Sequence, residues 1–385
     1  MSRAYREARG DIVWIADCNV WLAKHACDRM VDKLLGSRTN QGSPAYKFVH
    51  HIPVAVDVSN DSRNGLDQTH ETYEDLPLLS ASRPTDETPP GRFGGRLDEA
   101  FLSSAHAKMY VAINTVAVAP CICGKSSMFR RSHLNALTNE DQSIETRPGG
   151  GIDFFSNNIC EDHLIGDLLW KAKVPSSVPI AGKTLRNHGL VYGEIAFQPI
   201  ANMSVSNYVA RRARWLRVRK YTVPLATLVE PGTESFLCSA YGAFGATTSR
   251  YTKHTFGDGW TSFILFWLIS VFIWICVDWA VYQLLQSGAT VDEEGESVPY
   301  FVKPRKTPRR SFPSWLLAWL TREALALPVW TLAIWGGATV VWRDKKLWVG
   351  MDMKVHEYDE ETTADVKCDG HKSSRTHSPG KIRQE

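Results

Sequence analysis

The sequence predicts a mixed α/β domain followed by an α-helical membrane region. Three observations lead to that class. As far as Lys220, short apolar runs rich in β-branched residues alternate with stretches of helical spacing. Beyond Tyr221 long apolar stretches take over, and many of the fourteen tryptophans lie among them, as amphipathic indoles at a membrane–water boundary do. From Trp260 to Val277, eighteen consecutive residues carry no formal charge, which is within reach of a bilayer-spanning helix.

Composition narrows the field. The chain has 385 residues, and Lys+Arg 44 against Asp+Glu 41 leaves a net charge of +3. That near-balance excludes a dedicated nucleic-acid binder, which carries a strong basic excess. A hydrophobic fraction of 44% excludes a wholly disordered chain. Eight cysteines scattered over this length form neither a disulfide scaffold nor a zinc ligand set, and reduced, cytosol-facing thiols are expected.

Taken in order, Asp11-Ile-Val-Trp-Ile-Ala-Asp17 is a buried strand that delivers an acid at its C-terminal tip. Leu22 to Leu35 has helical spacing, with Ala26, Met30, Val31 and Leu34 on one side. Phe48 to Val58 reads as a second strand. Residues 59–96 are poor in large apolar side chains and form a loop insertion, expected to be exposed and mobile around Arg83 to Gly95. Helical spacing resumes near Leu97, and Tyr110 to Ala119 reads as another apolar strand. Residues 1–220 therefore make one domain and 221–349 the membrane region, with a polar, disordered tail expected over 350–385. No internal repeat and no signal peptide is visible.

The membrane region holds two firm spans and one doubtful one. Trp260 to Val277 can extend to Leu285, and Trp315 to Trp342 is interrupted only by Arg322-Glu323. The doubtful segment, Val223 to Ala246, is broken by Pro224, Glu230, Pro231 and Glu234, so it is a tilted span or an interfacial helix. Basic clusters at Arg211 to Lys220 and Lys303 to Arg310 put the globular half in the cytosol by the positive-inside tendency. Three spans would then place Arg343, Lys345 and Lys346 on the opposite side, against that tendency.

Three constellations can carry chemistry. Asp17-Cys18-Asn19 follows its strand, and a carboxylate with an amide oxygen two residues on suits Mg²⁺ or Mn²⁺ against a diphosphate. Taken alone, an acid there is most often a turn or cap. Glu161-Asp162 opens a helix running from His163 to Lys173; such pairs commonly serve the helix dipole, and the functional alternative is a general base beside an orienting acid. Arg211-Arg-Ala-Arg214-Trp215 on its own reads as a cationic interfacial helix, an ordinary membrane-surface feature, and its arginines and indole also suit a diphosphate and a sugar or base face.

In this order, ahead of membrane spans, the three resemble the membrane-bound inverting glycosyltransferases of the GT-A type, whose signature is D, D, D, (Q/R)xxRW. More closely, the chain resembles the ceramide glucosyltransferase family in its fungal form. The resemblance runs through Asp11 to Asn19, Val49-His-His-Ile-Pro-Val-Ala-Val-Asp57, Ser104-Ala-His106, Cys121-Ile-Cys-Gly-Lys-Ser-Ser-Met-Phe-Arg-Arg131, Ile159-Cys-Glu-Asp162, Arg211-x-x-Arg214-Trp215 and Val229-Glu-Pro231. It does not cover the loop around Arg83 to Gly95 or the tail.

The resemblance implies a GT-A-type domain and glucose transfer from UDP-glucose to the primary hydroxyl of ceramide, with inversion, at a Golgi or ER membrane. It makes Asp17 the metal and diphosphate acid, with Mg²⁺ or Mn²⁺ as cofactor, and Asp162 the base. Arg211, Arg214 and Trp215 become the terminal motif near donor and acceptor, and His106 a substrate-binding histidine. Cys121 is left structural. In the family a membrane anchor and a strand–helix–strand section bearing the first aspartate come before this point. Only ten residues precede the strand here, so the GT-A domain is expected to be partial, its nucleotide-binding first half missing, and the parallel sheet poorly stable alone. Two rival functions are a processive polysaccharide synthase, which shares the motif but uses more spans, and a non-catalytic membrane remnant.

Overall fold

A computed structural model describes residues 1–36, 43–59, 92–117, 119–180, 184–291, 298–342 and 345–357. The chain opens with helix α1 (Ser2–Glu7), strand β1 (Ile12–Ala16) and helix α2 (Ala26–Leu35), followed by β2 (Ala45–Tyr46) and β3 (Phe48–Asp57). Helices α3 (Gly94–Leu102) and α4 (Ala105–Val116) lead to β4 (Ser126–Arg130), α5 (Arg131–Thr138) and α6 (Glu161–Lys171). Strands β5 (Leu185–Arg186) and β6 (Gly189–Ile200) precede α7 (Val205–Thr222), α8 (Pro224–Val229), α9 (Ser235–Thr248) and α10 (Lys253–Phe256). Two long helices, α11 (Trp260–Gln286) and α12 (Phe312–Trp335), and three short strands, β7 (Thr339–Trp342), β8 (Lys345–Val349) and β9 (Val355–Glu357), complete it.

The main sheet has the order β1-β4-β3-β6. β3 runs parallel to β6, but β4 is antiparallel to both β1 and β3, so the described sheet is mixed where a parallel one was expected. Every residue of β3 is buried, which suits a central strand of Val, Ile and Ala covered on both faces. On one face Met30 and Leu34 of α2 pack on Val49, Met128 and Val191; each such fully buried side chain contributes roughly 1.5–3 kcal/mol. On another, Phe48 and Phe129 meet Leu134, Ile165 and Leu169, with Tyr5 closing the cluster. Val54, Val56 and Phe197 pack with Tyr110 and with Val291 and Val302, from the segment joining α11 to α12. Gly94 is required at the start of α3, because a Cβ there would lie 2.0 Å from the carbonyl oxygen of Ser204, the residue that caps α7.

Several expectations need correction. Of the stretch Tyr110 to Ala119 read as a strand, Tyr110 to Val116 is helical: Ala107, Tyr110 and Asn114 of α4 are buried at three- and four-residue spacing, which a short apolar run disguises. The helix expected from Leu22 starts at Ala26, because backbone bonds of 2.8 and 3.0 Å tie Trp21 to Phe197 in extended form. Val223 to Ala246 is not one span. Pro224 starts α8, Pro231 lies in a 3-10 turn, and α9 follows. The span expected to reach Trp342 stops at Trp335, before Gly336 and Gly337, and the chain turns into β7. Residues 355–357, assigned to the polar tail, form β9 on β8. Residues 358–385 of that tail, and the insertion apart from 59 and 92–96, lie outside the described residues. Two helices, α11 and α12, are long and apolar enough to cross a membrane.

Candidate active site

The pairing of β1 with β4 builds the centre of the site. Ala16 lies opposite Ser126, so the next residue, Asp17, meets Lys125, and its N–H donates to the Lys125 carbonyl at 3.1 Å. The Lys125 ammonium forms an ion pair with the Asp17 carboxylate. Immediately before it, Gly124 touches the second acid. The Asp162 carboxylate accepts backbone N–H bonds from Gly124 and His163, and a Cβ on Gly124 would lie 2.7 Å from its Oδ2. Residues 121–125 are thus the spine on which Asp17 and Asp162, far apart in sequence, converge.

The acids here lack full compensation. Burial raises Asp162 above the usual carboxylate range, against the hydrogen bonds that favour its charged form. Glu161 is pushed up to about 7 by burial and by repulsion from Asp162 and Asp17. Cys123 rises to about 12 through burial, within the fields of Lys125, Asp162 and Arg211. Its surroundings therefore join the two acids to the basic helix.

On α7, Arg211 donates to Gln198 Oε1 at 3.0 Å, stands 3.6 Å from the Asp98 carboxylate and stacks 4.8 Å from the centre of Trp215. Trp215 packs beside Ala55, Phe101 and Ile200, which fixes the ring under the helix. Burial and the neighbouring Arg211 lower the Arg214 pKa, and among the described residues Arg214 has no ion pair or hydrogen bond. Arg212, the motif's unassigned member, bonds Glu230 at 3.1 Å and lies 3.6 Å over the Phe101 ring. His106 sits between Phe101 and Tyr110, 5.5 Å from each ring, with Nδ1 buried and unpartnered. Burial, then Arg212 and Arg219, push it down to about 3, so the imidazole is neutral at physiological pH.

Sequence reasoning singled out neither Lys125 nor Asp98. Lys125 stood in the quoted Cys121 to Arg131 stretch, but only strand pairing reveals that its ammonium meets Asp17. Asp98 is fully buried, both its oxygens lack hydrogen bonds, and burial raises its pKa against the pull of Arg211, Arg212 and Lys125. An acidic residue in a helix gives no such signal beforehand.

A divalent ion finds a partial donor set. Asp17 is open to solvent and Asn19 Oδ1 is buried without a partner, while no three His, Cys, Asp or Glu side chains converge among the described residues. These two oxygens fit an ion that completes its coordination with phosphate oxygens, as Mg²⁺ commonly does.

The profile of glycosyl transferase family 21 matches residues 80–355. The chain belongs to glycosyl transferase family 21. A ceramide glucosyltransferase of Pyricularia oryzae is 46% identical over 365 residues, covering 92% of this chain and 67% of the relative. One of Gibberella zeae is 43% identical over 392 residues, covering 95% of this chain and 71% of the relative, and one of Komagataella phaffii is 31% identical over 398 residues, covering 93% and 68%. No solved structure matches. Within this family 21 chain, Asp162, His106, Arg211, Arg214 and Trp215 all lie inside the matched span, and Asp17 lies before it.

Proposed function

We propose that this chain transfers glucose from UDP-glucose to the primary hydroxyl of ceramide, with inversion at the anomeric carbon, at a Golgi or ER membrane with its catalytic domain in the cytosol. The observation that carries this reading is the Asp162 carboxylate, half-buried at a helix start against Gly124 and in the field of Lys125, which pairs with Asp17, while the adjacent Cys123 lies in the fields of both Asp162 and Arg211.

A primary hydroxyl is a poor nucleophile at neutral pH, so its proton has to leave as attack proceeds. Asp162 accepts that proton while the hydroxyl oxygen bonds to the anomeric carbon and the bond to the UDP oxygen breaks. Burial raises the basicity of Asp162 toward the working pH, and its backbone donors keep the carboxylate aimed. Negative charge then grows on the departing diphosphate. Arg214, without an ion pair or hydrogen bond among the described residues, and Lys125 supply compensating charge there, while Asp98 and Gln198 hold Arg211 in place beside Trp215. Asp17 and Asn19 would hold a divalent ion, whose bound charge would further neutralise the diphosphate. Neutral His106 offers an unpartnered ring nitrogen to a polar group of the acceptor, without a charge that would oppose the arginines.

The test is product analysis. The protein reconstituted in vesicles containing ceramide and supplied with radiolabelled UDP-glucose is expected to yield one lipid carrying a single β-linked glucose. A polysaccharide, or label that never enters the lipid phase, overturns the reading.

A further inference from the structure

The two long apolar helices meet the domain differently. Helix α11 is attached to it chiefly at its C-terminal end, where Tyr282 donates to Glu99 at 2.7 Å and Gln286 to the Ala55 carbonyl at 2.7 Å. Helix α12 is fastened at both ends and along its length. At its start, Arg310 bonds Glu99 at 3.1 Å and Arg96 bonds Ser314 at 3.2 Å. In its middle, Ala318 packs with Leu97, Ala100 and Tyr208, and further on Val329 and Ala333 pack with Ala213 and Leu216. At its end, Arg217 donates to the carbonyls of Leu332 and Gly336 at 3.3 and 3.1 Å. Successive residues of α12 thus meet successive residues of α7, so the two helices run side by side.

We infer that α12 does not cross the bilayer: it lies in the plane of the membrane surface as the lipid-facing layer of the catalytic domain. Were α12 to cross, α7 beside it would carry six basic residues toward hydrocarbon, among them Arg214, which has no ion pair or hydrogen bond among the described residues, and charge there is expensive. The opposite side of α12 shows what covers it. Leu317, Leu320, Leu327 and Trp335, spaced three to eight residues apart on one stripe, remain 59%, 40%, 44% and 77% exposed. An apolar stripe backed by a helix with six basic residues is the layering of a bilayer surface, apolar side chains outward and charge held behind them.

The charge conflict then disappears. The hairpin formed by α9 and α11 leaves the domain at Ser235, bonded to Glu323 at 2.9 Å, and returns to it at Gln286. With α12 in plane, β7 to β9 return to the catalytic side, where Val355 bonds the Asn157 carbonyl at 2.8 Å, four residues before the start of the helix that presents Asp162. The basic segments Arg211 to Lys220, Lys303 to Arg310 and Lys345-Lys346 then share one side of the membrane.

Two measurements on the full chain in sealed microsomes test this without reading sugar transfer. A C-terminal tag is expected to be digested by external protease along with an N-terminal one; a protected C-terminal tag overturns the inference. A fluorescent residue introduced in turn at Leu317, Leu320, Leu327 and Trp335 by amber suppression, in vesicles with lipids brominated at defined depths, is expected to report one shallow depth at all four. Depths that pass through the bilayer centre between 317 and 335, or no quenching at any position, overturn it.

Discussion

Glu99 and Glu161 are both withdrawn from solvent, and they are held in opposite states. Burial by itself would raise Glu99, but Arg310 and the hydrogen bonds from Arg310 and Tyr282 outweigh it and hold the acid below its ordinary value. Burial raises Glu161 too, and its acidic neighbours raise it further, to about 7. Glu99 stands at the joint between the domain and the ends of α11 and α12, where each charge has a partner. Glu161 stands in the active site, where acids crowd together and remain available. The difference separates charge that organises the fold from charge kept for chemistry.

The sharpest way to break this comparison is to remove one acid from each region. Asp162→Asn is expected to lower turnover by about 10³-fold, within the range for loss of a general base, while UDP binding and thermal stability persist. Near-normal turnover would remove Asp162 from the role of base. Glu99→Ala should do the reverse: it removes the carboxylate that neutralises the buried Arg310 and is expected to destabilise the protein by about 3–5 kcal/mol, seen as accelerated heat inactivation at 37 °C. If its stability matched the parent chain, the joint would not depend on that pair.

Two smaller effects sharpen the contrast. Gly124→Ala places a methyl 2.7 Å from Asp162 Oδ2, so the carboxylate must shift. A displacement of this kind is expected to cost about 10²-fold in turnover, with UDP affinity kept. Unchanged turnover would mean that Gly124 does not set the position of the base. The mildest change concerns pH. An acid raised from 4.5 to about 7 on folding costs stability progressively as pH rises across that window, because the folded state opposes its ionisation. Glu161→Gln is therefore expected to raise the melting temperature at pH 8 relative to the parent chain, with little gain at pH 4. Glu99 carries the opposite sign: its contribution is present above the ordinary glutamate pKa and fades on acidification. Equal melting shifts for Glu161→Gln at both pH values would contradict the assignment.

How far the sequence revealed the site differs from residue to residue. Asp17 was legible because an apolar run ends on it, and Asp162 because a helix begins there. Arg211 to Trp215 stood out as a motif. Lys125 carried no local signal, since its meeting with Asp17 depends on the register between β1 and β4, whose residues lie more than a hundred positions apart. The same holds for Asp98, whose charge meets Arg211 only after α3 has packed on α7. In the membrane region composition alone marked α11 and α12 as apolar, and composition could not tell a helix coated by lipid all round from one with a stripe for protein and a stripe for lipid.

Local chemistry in the chain determined which segments would be strands, helices and apolar stretches, and which short motifs could act on a sugar diphosphate. Tyr110 to Ala119 marks the limit, because a brief apolar run satisfies either period and its neighbours decide. Tertiary structure alone decided which charges were neutralised and which were left unpaired, and on which face α12 would be covered. Pairing and burial are properties of distance between residues remote in sequence, and only the folded chain sets those distances.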